Sequence, residues 1–146
     1  MLPLKAEKIK HMKIEIKTDK NVDQKAVLQL YQLNEWSSAQ KPDQLYQGLL
    51  HSHTLITAWH KEKLVGLGNA LSDSFLVVYY PHLLVHPDYQ GKGIGKKIMD
   101  RFNGIYEGFH QQILVSDANS IEFYKKCGFS MAGKTQSMWI YLGSEH

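Results

Sequence analysis

Residues 75–97 constrain this chain more than any other stretch. An apolar, β-rich run from Phe75 to Val85 ends at Pro87, a glycine-rich turn follows, and a helical pattern starts at Ile94. A strand that feeds a glycine turn and then a helix offers several backbone N–H groups to one anion. Gly91, Gly93 and Gly95 carry no side chains that would hold a phosphate away, and Lys92, Lys96 and Lys97 add positive charge at the same place. The stretch therefore reads as the seat of a phosphorylated ligand. The run before it is apolar on both faces, as a buried strand should be. Pro81 sits inside that run and cannot donate to a ladder, which predicts a bulge or a split there.

Two common phosphate motifs do not fit. A P-loop needs Gly, four residues, then Gly-Lys-Ser/Thr, but the residue five after Gly91 is Lys96 and no Ser or Thr follows it. A dinucleotide fingerprint needs a glycine three residues after Gly93, where Lys96 stands instead. What remains is Gln90-x-x-Gly93-x-Gly95, preceded by Leu83, Leu84, Val85 and Pro87. This pattern resembles the Arg/Gln-x-x-Gly-x-Gly/Ala pyrophosphate motif of the GNAT superfamily of N-acetyltransferases, with its preceding Leu-x-Val-x-Pro. A second segment, Phe123-Tyr124-Lys125-Lys126-Cys127-Gly128-Phe129, resembles the same family's Phe/Leu-Tyr-x-x-x-Gly-Phe element.

Size and composition fit one soluble globular domain. The chain has 146 residues, 43% hydrophobic and 21% charged, with a net charge of +3. Arg101 is the sole arginine among 17 basic residues. Nucleic-acid readers lean on arginine forks, so this balance argues against that role and suits a small polyanion. Cys127 is the single cysteine, which excludes an internal disulfide and reads as a small buried hydrophobe. No apolar run approaches the ~18 residues of a membrane span, and the first residues are too charged for a signal peptide. These features lead us to expect a cytoplasmic protein. Residues 1–11 show no clean period and read as a loose extension before a single domain over 12–146, with Met12 as an alternative start.

Periodicity orders the rest. Residues 13–17 alternate as a strand, residues 22–36 are helical with Asp19, Asn21 or Asp23 as cap, and Pro42 opens a second helix reaching His51. Residues 54–60 and 64–71 form a hairpin, weakened or bulged by Gly66 and Gly68. A helix over 94–108, a strand over 111–115, a helix over 120–126 and a last strand over 139–142 follow. This order implies a mixed α/β fold with a mostly antiparallel sheet and helices on both faces, and it matches the GNAT fold from residue 12 onward. The resemblance implies a split between the fourth strand (75–85) and the fifth (111–115).

The resemblance also implies a site. Acetyl-coenzyme A, the co-substrate, would pair its pantetheine arm with Leu83, Leu84 and Val85 and its diphosphate with Gln90, Gly91, Lys92, Gly93, Ile94, Gly95 and Lys96. A backbone N–H of that strand would stabilise the oxyanion. Tyr124 would protonate the leaving thiolate, its pKa near 10 brought closer to the thiol's by Lys125 and Lys126. The family's coenzyme-contacting asparagine falls at Asp117. Asn119, two residues on, lacks charge repulsion with phosphate and is the better candidate. An attacking amine must lose a proton. Tyr79, Tyr80 and His82 stand near the predicted break, and His82, titrating near neutrality, is the first choice of base beside an ordered water. His86, next to Pro87, is expected to point to solvent. Trp36, Tyr79, Tyr80 and Phe75 could line a pocket for a small amine. The expected reaction is direct acetyl transfer to a primary amine, without an acyl-enzyme and without metal, since the eight histidines lack ligand spacing. A protein or peptide acetyltransferase and a non-catalytic acyl-coenzyme A sensor are the rivals. An edge strand such as the C-terminal one could pair two copies.

Overall fold

The computed structural model describes residues 12–144. The extension expected over residues 1–11 lies outside the described residues. The strands are β1 (Ile14–Lys17), β2 (Thr54–His60), β3 (Lys63–Ser72), β4 (Val77–Tyr80), β5 (Leu83–Val85) and β6 (Gln111–Leu114). The helices are α1 (Gln24–Leu33), α2 (Pro42–Leu50), α3 (Ile94–Ile105) and α4 (Ile121–Lys126). Asp23 is the residue that caps α1, accepting the Ala26 N–H at 3.0 Å. The helix stops earlier than its periodicity suggests because Glu35 takes a left-handed φ of 58°.

The sheet runs β1-β2-β3-β4-β6, antiparallel except for the parallel β4–β6 pair. The long strand expected over 75–85 is two strands. Phe75 and Leu76 lie in the loop before β4, where Asp73 gathers the N–H groups of Phe75, Leu76 and Val77. Pro81 and His82 then separate β4 from β5. Both halves remain on β3: Leu71 and Ser72 pair with β4, while Gly66, Leu67 and Gly68 pair with β5.

Helices cover both faces. On one side, Ile94, Ile98, Met99 and Phe102 of α3 pack against Ile56, Ala58, Val65 and Ala70. On the other, Val27, Leu30 and Tyr31 of α1 and Leu45 and Leu49 of α2 pack against Leu55, Leu64, Leu67 and Leu84. Adjacent strand residues feed opposite cores, as a period of two requires.

β3 stays continuous and buried over its middle, and it carries the expected bulge beside Gly66: Ala58 pairs with Gly66 and Trp59 with Leu64, which leaves Val65 as the extra residue. Gly66 and Gly68 also serve the packing. They make room for α3. A Cβ on Gly68 would stand 2.9 Å from Phe102 Cε2 and 3.0 Å from Ile98 Cγ2, and one on Gly66 would stand 3.1 Å from Ile94 Cγ2. The strand expected over 139–142 does not form: this stretch pairs with no strand, and β6 ends the sheet.

Gly68→Ala should therefore destabilise the fold by ~1–3 kcal/mol, the cost of forcing an extra methyl into a filled core. The readout is a lower denaturant midpoint with an unchanged slope.

Candidate active site

The break at Pro81 sets the geometry. β4 pairs with β6 up to Tyr80 and Leu114, and β5 then stays on β3 without joining β6. Hydrogen-bonding residues alternate along an antiparallel ladder. His82 O accepts the Asn69 N–H at 3.1 Å, and the His86 N–H reaches Val65 O at 2.8 Å. Residues 82, 84 and 86 thus turn their backbone groups toward β3, and Leu83 and Val85 turn theirs into the gap beside β6. Of the three residues expected to offer backbone groups there, Leu84 is spent on the ladder and its side chain is buried in the α1–α2 core.

Asn69 holds the bend in place. Its Oδ1 accepts the His82 N–H at 3.0 Å, and its Nδ2 donates to Ser52 Oγ at 3.0 Å. Sequence reading misses this residue, although an Asn inside the buried run of β3 is a visible signal.

At the far end of β5 the glycines divide into two roles. Gly91 and Gly93 take left-handed φ values of 74° and 86°, with nothing within 4 Å of where a Cβ would stand. Gly93 is the N-cap of α3 and supplies no capping side chain, so the first-turn amides of Ile94, Gly95 and Lys96 lack an intrahelical acceptor. Such an end attracts anions. Gly95 serves packing: a Cβ there would meet Phe123 Cζ at 3.2 Å and Val85 Cγ2 at 3.8 Å. It is the point where β5, α3 and α4 converge, and it sets Tyr124's helix against the glycine loop. Gln90 Nε2 donates to Val85 O at 3.0 Å and to Asn34 Oδ1 at 3.2 Å, which ties the loop to β5 and to the end of α1. Ile94 is buried in the core, while Lys92 and Lys97 are exposed. Lys96, also exposed, pairs with Asp100 at 2.9 Å, and that carboxylate raises its pKa.

Tyr124 is half-buried between Phe123 and Phe129, with ring centroids 5.0 and 6.0 Å away. Burial, with smaller effects from Cys127 and Asp117, pushes its pKa up to about 12. Lys125 and Lys126 do not offset this. Both are exposed, and Lys125 reaches Glu122 at 3.4 Å. Asp117 is the member of the 117/119 pair that Tyr124 senses electrostatically, while Asn119 is exposed in the turn before α4.

On the opposite face of the sheet, His82 lies edge-on to Trp36 at 5.0 Å and to Tyr31 at 5.4 Å. Tyr31 Oη and His82 Nδ1 are 2.8 Å apart. Tyr31 is fully buried and its pKa stands far above the usual tyrosine range through that burial, so it keeps its proton. Nδ1 is its hydrogen-bond partner, and which of the two donates follows the imidazole tautomer. The sequence does not single out Tyr31, which looks there like one more apolar position of α1.

The expected aromatic pocket divides. Tyr79 is exposed, but Tyr80 points the other way into the α3 core, packs on Phe102 at 5.0 Å and donates to Gln112 Oε1 at 2.6 Å. Phe75 is exposed in the loop before β4, at the end of that strand away from the break. His86 is a correction. It is buried at 6% exposure, and its Nδ1 accepts the Asp88 N–H at 3.1 Å, which holds the turn before the glycine loop. Cys127 is buried, and burial raises its thiol pKa. Among the described residues, no three His, Cys, Asp or Glu side chains group as a metal site.

Residues 16–139 match the acetyltransferase (GNAT) domain family. The chain belongs to this family. It is 34% identical over 71 residues to an uncharacterized N-acetyltransferase of Gracilaria tenuistipitata var. liui, covering 47% of this chain and 39% of that relative. A GNAT-family acetyltransferase from Streptococcus pneumoniae TIGR4 superposes with a TM-score of 0.78 at 30% identity, over 89% of this chain and 99% of that one. The structure of AAC(6')-Iy with the bisubstrate analog CoA-S-monomethyl-acetylneamine shares the fold, with a TM-score of 0.68 at 14% identity, over 88% of this chain and 99% of that one.

The His86 environment generates a pH prediction. Burial, and Lys63 after it, hold the His86 pKa below 6.5 in the folded chain, against an opposing smaller effect of Asp88. The unfolded chain therefore binds more protons in the window below pH 6.5, and stability is lost as pH falls through it. His86→Asn keeps an acceptor for the Asp88 N–H and removes the titration. Its Tm should fall less steeply with acidification than that of the wild type.

Proposed function

We propose that this protein transfers the acetyl group of acetyl-coenzyme A to the primary amine of a small molecule by direct attack, without an acyl-enzyme. The observation that carries this reading is the gap between β5 and β6, into which Leu83 and Val85 turn their backbone groups. It ends at the uncapped amides of α3. An extended pantetheine arm would pair with the Leu83 groups and the Val85 N–H as an added strand does, the Val85 carbonyl being held by Gln90, and its diphosphate would rest on the amides of Ile94, Gly95 and Lys96. One gap-facing N–H would polarise the thioester carbonyl and hold the oxyanion.

Tyr124 is the proposed acid. Against a thiol in water near 8.5, a phenol at about 12 is roughly 5 kcal/mol too weak. A thiolate formed in the same apolar surroundings is itself raised by desolvation, which narrows the difference. Tyr124 first donates a hydrogen bond to the developing thiolate and yields its proton as the charge grows. On the acceptor side, His82 Nδ1 is already engaged by Tyr31. This favours an ordered water beside His82 as the group that takes the amine's proton. The face of Trp36 would favour the ammonium formed on attack before it loses its proton. The AAC(6')-Iy complex, whose bisubstrate analog joins coenzyme A to acetylneamine, supports a small amine as acceptor. A lysine or N-terminus of a protein would be the alternative outcome of an acceptor screen.

Two measurements test this. Saturating acetyl-coenzyme A should raise the Tm, by the equivalent of about 2.7 kcal/mol at a hundredfold excess over Kd. Gly93→Ala, which forces a side chain into the left-handed region, should weaken that response. In an amine screen that follows free thiol, Tyr124→Phe should lower kcat by about 10²-fold while retaining the coenzyme-induced shift. Full turnover by this variant would remove Tyr124 from the mechanism.

A further inference from the structure

The turn between β3 and β4 carries a serine in an unusual backbone conformation. Ser74 has a left-handed φ of 74°, which residues with a side chain adopt rarely. Its neighbours hold it there. Asp73 Oδ1 accepts the N–H groups of Phe75, Leu76 and Val77 at 3.0, 2.8 and 3.1 Å. Ser72 Oγ accepts the Ser74 N–H at 3.0 Å and donates to Val77 O at 2.7 Å. A strained residue fixed by so many bonds marks a place where a side chain is aimed.

The Ser74 hydroxyl is aimed at an imidazole. Its Oγ stands 2.9 Å from His53 Nε2. The other ring nitrogen, Nδ1, stands 2.6 Å from Tyr106 Oη, against 3.5 Å from Thr54 Oγ1. Tyr106 Oη is in turn 2.6 Å from Thr54 Oγ1. Tyr106 is fully buried at the end of α3. Burial raises its pKa against a smaller lowering by Thr54, so it stays protonated. The imidazole tautomer with its proton on Nδ1 donates to Tyr106 Oη, leaves the Tyr106 hydrogen for Thr54 and turns the Nε2 lone pair toward Ser74. Nucleophile, base and a group that orients the base then stand in line, as an activated serine requires.

The surroundings select the reactant. Ser74 and His53 are exposed, and Phe75 and Leu76 beside them are 88% and 53% exposed. The Asp73 carboxylate, next in the chain, would repel an anionic donor, so a neutral, apolar ester suits the place. No amide of residues 74–77 is left to hold an oxyanion, because Ser72 and Asp73 take all four. A positioned base contributes roughly 10²–10⁴-fold, while a missing oxyanion donor costs about 10²–10³-fold. Attack on an ester with a good leaving group can therefore proceed, and the acyl-serine that forms is slow to hydrolyse.

We propose that Ser74 is a covalent acylation site for neutral, apolar, activated esters, with His53 as its general base and Tyr106 as the residue that positions His53. Ser74 Oγ attacks the ester carbonyl while His53 Nε2 takes the hydroxyl proton. The bond from the carbonyl carbon to the leaving oxygen breaks with its electron pair, and the imidazolium returns the proton to that oxygen. One acyl-serine and one alcohol or phenol result, with no change of oxidation state. Tyr106 Oη accepts from Nδ1–H throughout. All of β4 lies between this place and Pro81, and neither Tyr124 nor the glycine loop takes part.

The test incubates the full chain with p-nitrophenyl butyrate, follows nitrophenolate release and locates the butyryl group by peptide mass mapping. The expected result is a burst of one nitrophenolate per chain, with the butyryl group on Ser74. Ser74→Ala should abolish that label, and His53→Gln should slow it by about 10²-fold. Both positions are exposed, so neither variant should alter the circular dichroism spectrum. Tyr106→Phe keeps the buried ring. It should slow labelling less and move the pH midpoint of the rate downward, because the imidazolium loses its acceptor at Nδ1. Absence of butyryl from Ser74, wherever else it appears, or labelling of Ser74 at the wild-type rate in His53→Gln, would overturn the proposal.

Discussion

Pro81 withdraws one N–H from the strand that follows the β3 hairpin, and Asn69 stands in for the ladder at the next residue. Its carboxamide oxygen receives the His82 N–H while its own backbone N–H reaches His82 O. Without that clamp the bend would leave buried donors unpaired, at roughly 1–3 kcal/mol each. With it, the chain turns between β4 and β5 and both halves keep β3 as a common partner. The gap beside β6, the direction of the Leu83 and Val85 backbone groups, and the position of the glycine loop all follow from this one bend.

The site joins two layers of the molecule. The α3–α4 layer supplies the anion-facing amides and Tyr124, locked together where Gly95 admits Phe123. The α1–α2 layer supplies Trp36, Tyr31 and His82. In the proposed reaction, the gap in the sheet is what would let groups from its two faces meet one ligand. Burial then works on each group separately, raising the pKa of both Tyr31 and Tyr124. Tyr31 keeps its proton beside His82, and Tyr124 stays protonated at neutral pH.

Much of this is legible in the chain's residue order. The glycine loop, Pro81 and the Phe-Tyr element are short, and their meaning is local: positive φ at Gly91 and Gly93, a lost donor at Pro81, a helix ending before Gly128. The residues whose sequence context misleads are those that depend on distant partners. His86 beside a proline looks exposed, yet the fold buries it against Tyr89, 5.4 Å away. Tyr79 and Tyr80 look like one aromatic pair, but alternation sends them to opposite faces. Gly66 and Gly68 look only like weak points of a strand and are also contact points for a helix some thirty residues on.

The amino-acid order by itself determined the element types as far as α4, the broken strand, the family and the glycine turn, because backbone sterics and hydrophobic periodicity act over a few residues. Tertiary structure alone decided which backbone groups face the gap, that Asn69 clamps the bend, that Tyr31 engages His82, and that residues 135–142 remain outside the sheet. Each of these is a contact between residues far apart in the chain, and such contacts exist only once the layers have packed.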